Sequence, residues 1–188
     1  MAGAAHIILI GPRATGKSSV GKALADAVGR DFVDLDDLVR EAWRDATGRI
    51  STDAEIWRES GEAWWRAMEE ERLAHLLATK KSLIVLALGG GAPTVQGIER
   101  LLQQKRSAGE ARVVYLNTGV VDLQSRLREG SAARDRPTLT GKGTVEEVAE
   151  VLRKREPVYQ RLADVVVASD RGGVQETMKA VLKALAAL

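Results

Sequence analysis

The segment Gly11-Pro-Arg-Ala-Thr-Gly16-Lys17-Ser18 constrains this chain most, because it lies between the apolar run His6 to Ile10 and an amphipathic stretch, Ser18 to Val28. A strand, a glycine-bounded loop and a helix in that order form a phosphate-binding loop. Gly11 and Gly16 permit a turn in which successive backbone N–H groups point inward, and the helix N-terminus adds partial positive charge. Lys17 is then placed to reach the β- and γ-phosphates of a nucleotide. Ser18 can bring its hydroxyl to a magnesium ion, or can serve as a plain helix N-cap. Ala14, Thr15 and Ser19 complete the predicted nucleotide-binding set.

Short apolar runs recur along the chain at Asp31 to Val33, Leu83 to Leu88, Val113 to Leu116 and Val165 to Ala168. They read as further buried strands. Between them, Ala63 to Ala78, Val121 to Arg128, Val145 to Tyr159 and Val174 to Leu188 carry apolar residues at spacings of three and four, the mark of amphipathic helices. The expectation is an α/β fold of the P-loop NTPase type, with a central parallel five-stranded sheet flanked by helices. No linker or repeat divides the 188 residues, so residues 1–188 are expected to form one domain. The charged, glycine-bearing stretch Glu129 to Thr144 reads as a mobile lid.

Composition removes several function classes. Cysteine is absent, and the two histidines, His6 and His75, are isolated, so thiolate chemistry and a zinc site are excluded and any metal needs oxygen ligands. The 28 Lys and Arg against 26 Asp and Glu give a net charge of +2, which does not suit a nucleic-acid surface. That small excess is uneven, because Arg126 to Arg155 alone carries a net +3. The N-terminus has no basic region ahead of its first apolar run, and glycines and Pro93 break the longest charge-free stretch, Ser82 to Ile98. A soluble, cytoplasmic, monomeric protein without membrane contact is expected.

A nucleotide-binding loop leaves the acceptor open. The Asn-Lys-x-Asp segment that reads guanine is missing, and the third apolar run passes straight into Gly89-Gly90-Gly91 without the closing acid of a motor ATPase. A small kinase fits better. Asp34-Leu-Asp36 follows the second strand, and an extended backbone would place both carboxylates on one side. One could then serve magnesium and the other an acceptor hydroxyl. The alternative is an acidic strand end with a helix N-cap.

Six ordered motifs now carry a resemblance: the phosphate loop, Phe32-Val-Asp34-Leu-Asp36, Gly61-Glu62-Ala-Trp-Trp65-Arg66, Gly89-Gly-Gly91, Arg136-Pro-Thr-Leu-Thr-Gly-Lys142 and Lys154-Arg155-Glu-Pro-Val-Tyr159. From the phosphate loop nearly to its C-terminus the chain resembles the shikimate kinases. The resemblance implies transfer of phosphoryl from ATP, with Mg²⁺, to the 3-hydroxyl of shikimate in the pathway to chorismate and the aromatic amino acids. It implies Lys17, Asp36 and Arg136 as catalytic residues. Asp36 would orient the acceptor hydroxyl and take its proton, and Asp34 would join Ser18 at magnesium. Arg66 and Arg155 would bind the carboxylate of shikimate, beside Gly89, Gly90 and Gly91, in an acceptor region over about residues 36–78. Arg136 would sit in the lid, and Arg171 with Asp170 near adenine. Arg128 and Arg134 are further cations toward ATP, with a solvated loop as their alternative.

Three departures from the family pattern stand out. Ala14 replaces a further glycine of the phosphate loop, and Trp57 and Trp65 stand where the acceptor pocket usually has phenylalanines. The segment from Gly48 to Trp57 is about two residues longer than usual. Trp43 and Trp64 read equally well as packing residues. A kinase of another small hydroxy acid such as gluconate, and a nucleotide-binding protein without turnover, remain the alternative readings.

Overall fold

The computed structural model describes residues 5–129, 145–169 and 172–188. Five strands, β1 (His6–Ile10), β2 (Asp31–Asp34), β3 (Ile84–Ala87), β4 (Ala111–Asn117) and β5 (Val165–Ala168), form one sheet in the order β2-β3-β1-β4-β5. All four pairings are parallel. Every residue of β1 and β3 is buried, whereas the edge strands β2 and β5 are part exposed. The continuous apolar runs therefore mark central strands covered on both faces.

Side chains of β1 alternate between two cores, as the strand period requires. Ile8 and Ile10 pack with Leu73, Leu86, Ile98, Leu102, Tyr115 and Tyr159. Ile7 and Leu9 pack with Val20, Leu24, Val85, Val114 and Val181 on the other side. The helices are α1 (Lys17–Val28), α2 (Leu35–Thr47), α3 (Asp53–Thr79), α4 (Gln96–Ser107), α5 (Val120–Glu129), α6 (Val148–Leu162) and α7 (Gly173–Leu185). Helices α1 and α7 cover the second core, and α3 to α6 cover the first. A third, smaller cluster of Val39, Trp43, Ile56 and Trp65 ties α2 to α3.

Local chemistry sets the boundaries near the site. The extended Asp34-Leu-Asp36 expected from sequence is not what forms: α2 starts at Leu35, and Asp34 is its N-cap, accepting the Asp36 N–H at 3.1 Å. Asp36 thus lies in the first helical turn, because the short Asp34 side chain satisfies an otherwise orphaned backbone donor there. Helix α3 starts ten residues before the expected Ala63, on a capping box in which Thr52 and Glu55 exchange hydrogen bonds. Gly61, at φ 80° and ψ 170°, breaks it, a conformation that favours glycine. That break lets the first two turns of α3 lean back over α2. Helix α6 is displaced from the expected Val145–Tyr159 to Val148–Leu162.

Candidate active site

The site occupies the carboxyl ends of the strands, where open parallel sheets bind ligands. Gly11 leaves β1 at φ 141°, and a Cβ there would lie 2.5 Å from the Leu116 carbonyl oxygen, so only glycine fits. Gly16, at φ 89°, caps α1. Ala14 adopts φ 62°, the one left-handed non-glycine among the described residues. Lys17 is buried, its Nζ donating to the Gly11 and Pro12 carbonyls at 2.9 and 2.7 Å, and the Thr15 hydroxyl donates to Pro12 at 3.1 Å. These contacts hold the loop closed around the lysine. Ser19 is exposed and lines the same cleft, together with Gly16, Ser18 and Asp34.

Ser18 is not the N-cap of α1, a position that Gly16 holds. Its hydroxyl donates to Asp34 Oδ2 at 2.6 Å, so the start of α1 and the end of β2 present two oxygen donors side by side. Burial raises the pKa of Asp34, with the Ser18 hydrogen bond opposing it and the Asp36 and Asp37 charges adding to it. A hydroxyl beside a half-desolvated carboxylate fits a hard divalent cation, which also needs phosphate and water oxygens.

The cleft continues past Asp36, Gly89 and Gly90 into a second pocket. Asp36, Trp57, Trp65, Arg66, Gly89, Gly90, Gly91 and Arg155, all expected as substrate-binding residues, line this one space. Two of the three glycines, Gly89 and Gly91, sit where a side chain would collide with the charged groups of the pocket. A Cβ on Gly89 would lie 2.7 Å from Asp36 Oδ1 and 2.8 Å from Glu69 Oε1, and one on Gly91 would lie 2.7 Å from the Arg66 guanidinium carbon. The Tyr159 hydroxyl donates to the Gly90 carbonyl and pins the turn. Burial pushes this phenol up to about 12, against the Arg155 and Arg66 charges.

Arg66 is held from three sides. Its guanidinium donates to Glu69 Oε2 at 2.7 Å and to Glu62 at 3.2 Å, and lies 5.2 Å from the Trp57 ring, a cation–π distance. Trp57 and Trp65 face each other at 6.0 Å, whereas Trp43 packs edge-on against Trp64 outside the pocket. The first pair forms the wall, and the second is packing. Glu69 is buried, with no hydrogen-bond partner for Oε1. Burial raises its pKa, the Arg66 charge opposes the rise, and the Asp36 charge adds to it.

The shikimate kinase family model matches residues 13–186. Shikimate kinase 2 of Erwinia tasmaniensis is 39% identical over 161 residues, covering 86% of this chain and 84% of its own. Shikimate kinase 2 of Escherichia fergusonii is 37% identical over 182 residues, covering 96% and 93%. Among solved structures, shikimate kinase from Acinetobacter baumannii in complex with shikimate superposes with a TM-score of 0.81 at 29% identity, over 97% of this chain and 93% of that one. The chain belongs to the shikimate kinase family.

Several residues of this shikimate kinase pocket are not evident from sequence. Glu69 stands three residues after Arg66 on α3, and that helical spacing is the signal that pairs them. Arg13 lines both the cleft at the phosphate loop and the pocket behind Asp36, and Asp53 lines the latter. Arg126 donates to the Ala14 carbonyl at 3.2 Å and to the Ser169 carbonyl at 2.5 Å, so it joins the phosphate loop to the end of β5. Arg128, the cation expected near ATP, is exposed on the last turn of α5. Arg134, Arg136, Asp170, Arg171 and the expected lid beyond Glu129 lie outside the described residues.

Proposed function

We propose that the chain carries out the shikimate kinase reaction with MgATP in the Gly11–Ser18 cleft and shikimate in the pocket behind Asp36. The observation that carries this reading is the shared wall: Asp36, Gly89 and Gly90 border both spaces, so a hydroxyl on one side and a terminal phosphate on the other meet at one carboxylate. Phosphoryl transfer asks mainly for such positioning and for charge neutralisation.

In this reading Lys17 leaves the Gly11 and Pro12 carbonyls for the β- and γ-phosphates, while the loop N–H groups and the α1 N-terminus cradle the phosphate chain. Ser18 and Asp34 would hold Mg²⁺, which neutralises phosphate charge when bound. Asp36 orients the 3-hydroxyl and accepts its proton. Arg66 and Arg155 take the shikimate carboxylate, a planar anion suited to guanidinium. Arg136 and Arg171 keep the roles that the resemblance implies, near the transferring phosphoryl group and the adenine. We read residues 1–188 as one cytoplasmic, monomeric catalytic domain that does not act on nucleic acid. Among the described residues, no helix is long and apolar enough to cross a membrane.

The test is ADP release from MgATP. It is expected to require shikimate, to stop when Mg²⁺ is chelated, and to exceed turnover with gluconate and other small hydroxy acids. Equal turnover of gluconate would replace the acceptor assignment.

A further inference from the structure

The acceptor pocket contains a carboxylate that the reaction does not account for. Asp53 opens α3, its side chain only 11% exposed, and shares the pocket lining with Asp36, Trp57, Trp65 and Arg66. Its Oδ1 accepts from Arg40 Nη1 at 2.6 Å, and Arg40 also donates to Asp37. Arg40 stands four residues after Asp36, on the same side of α2. Burial alone would lower the Arg40 pKa, but the Asp53 hydrogen bond and the charges of Asp53, Asp37 and Asp36 raise it. The guanidinium therefore binds the start of α3 to the helix that carries Asp36.

We propose that Asp53, held by Arg40, is a specificity-determining residue that accepts a hydrogen bond from one of the two shikimate hydroxyls that do not receive phosphoryl. Shikimate is an anionic triol. Arg66 and Arg155 answer its carboxylate and Asp36 its reacting hydroxyl, which leaves two hydroxyl donors in a pocket walled by two indole rings. An ionised carboxylate has about four acceptor positions, so Asp53 can serve Arg40 and a hydroxyl together. A charge-assisted bond of this kind also excludes ligands that lack the hydroxyl, because the carboxylate would then be buried beneath them without that donor.

This inference rests on the acceptor-pocket reading above, and the experiment separates the two. The ratio of kcat/KM for shikimate to that for 4-deoxyshikimate and 5-deoxyshikimate is measured in the full chain and in Asp53→Ala, Asp53→Asn, Arg40→Ala and Arg66→Ala, with thermal midpoints in parallel. The wild type is expected to prefer shikimate over one analogue by roughly 10- to 100-fold. In Asp53→Ala that one ratio falls to near unity through a raised KM for shikimate. Asp53→Asn retains part of it, and Arg40→Ala blurs it. General damage to the pocket would lower all three acceptors together and leave both ratios as in the wild type, and that result would overturn the proposal. So would a wild type indifferent to both missing hydroxyls. An unchanged shikimate KM in Arg66→Ala would instead remove the pocket assignment itself.

Discussion

The nucleotide cleft and the acceptor pocket share Asp36, Gly89 and Gly90, yet they are built from different material. The cleft is built around one continuous loop, closed by Asp34, Asp36 and the turn after β3, with Lys17 folded onto the loop's own carbonyls. The pocket is assembled from side chains on α2, α3, α6 and the β3 turn, and its charges lean on one another: Arg66 on Glu69 and Glu62, Asp53 on Arg40. Backbone chemistry tolerates a change of side chain such as Ala14. A network of buried charges does not, because removing one member strands the next.

The largest expected effect lies where the two spaces meet. Asp36→Asn keeps the shape but removes the proposed proton acceptor, so kcat is expected to fall about 10²- to 10⁴-fold while affinity for a nonhydrolysable ATP analogue, measured by titration calorimetry, stays near the wild-type value. Lost nucleotide affinity would mean that the two spaces are coupled more tightly than their construction suggests. Arg66→Ala comes next and strikes the pocket alone. It removes the proposed partner of the shikimate carboxylate and strands Glu69, so kcat/KM for shikimate is expected to drop about 100-fold with the KM for ATP unchanged.

Glu69→Gln separates stability from binding within the pocket. The Glu69 pKa is raised mainly by burial. For an acid shifted in that direction, the contribution to folding is full below its ordinary value of 4.5 and is lost as pH rises through the raised pKa. The neutral amide carries no such loss. Glu69→Gln is therefore expected to raise the thermal midpoint by a few degrees on the alkaline side of the Glu69 titration and to flatten the decline that sets in as pH rises above 4.5, while weakening shikimate binding through a less firmly held Arg66. A midpoint below the wild type on that side would show that the Arg66 ion pair outweighs the cost of burying Glu69.

The same contrast explains how much could be read ahead of the structure. The phosphate loop is contiguous, so its spacing alone located Gly11, Gly16, Lys17 and Ser18, and all five strands fell close to the apolar runs. The pocket is discontinuous, and its members were named through ordered motifs rather than through periodicity. What stayed hidden was set by contacts between elements. Glu69 sits among charged neighbours in sequence, and only packing buries it against Arg66. Asp53 enters the pocket because Gly61 breaks α3 and turns its start toward α2. At Asp34-Leu-Asp36 the alternative reading, an acidic strand end with a helix N-cap, is the one that forms: Asp34 acts at once as strand end and N-cap, so the backbone turns between the two carboxylates.

The smallest expected effect tests the tolerance of the cleft. Ala14 holds φ 62°, a conformation that costs an L-residue with a Cβ about 1–2 kcal/mol. Its carbonyl is fixed by Arg126, so the backbone keeps this geometry whatever side chain stands there. Ala14→Gly relieves the strain but gives the unfolded chain more freedom, which offsets part of the gain. The net is expected to be about 1 kcal/mol of stabilisation, read as a rise of roughly 2–4 °C in thermal midpoint, with KM for ATP unchanged within twofold. A larger change in KM would mean that the Ala14 methyl itself touches nucleotide. The cleft would then depend on side chains as the pocket does, and the division drawn between them would fail at its clearest position.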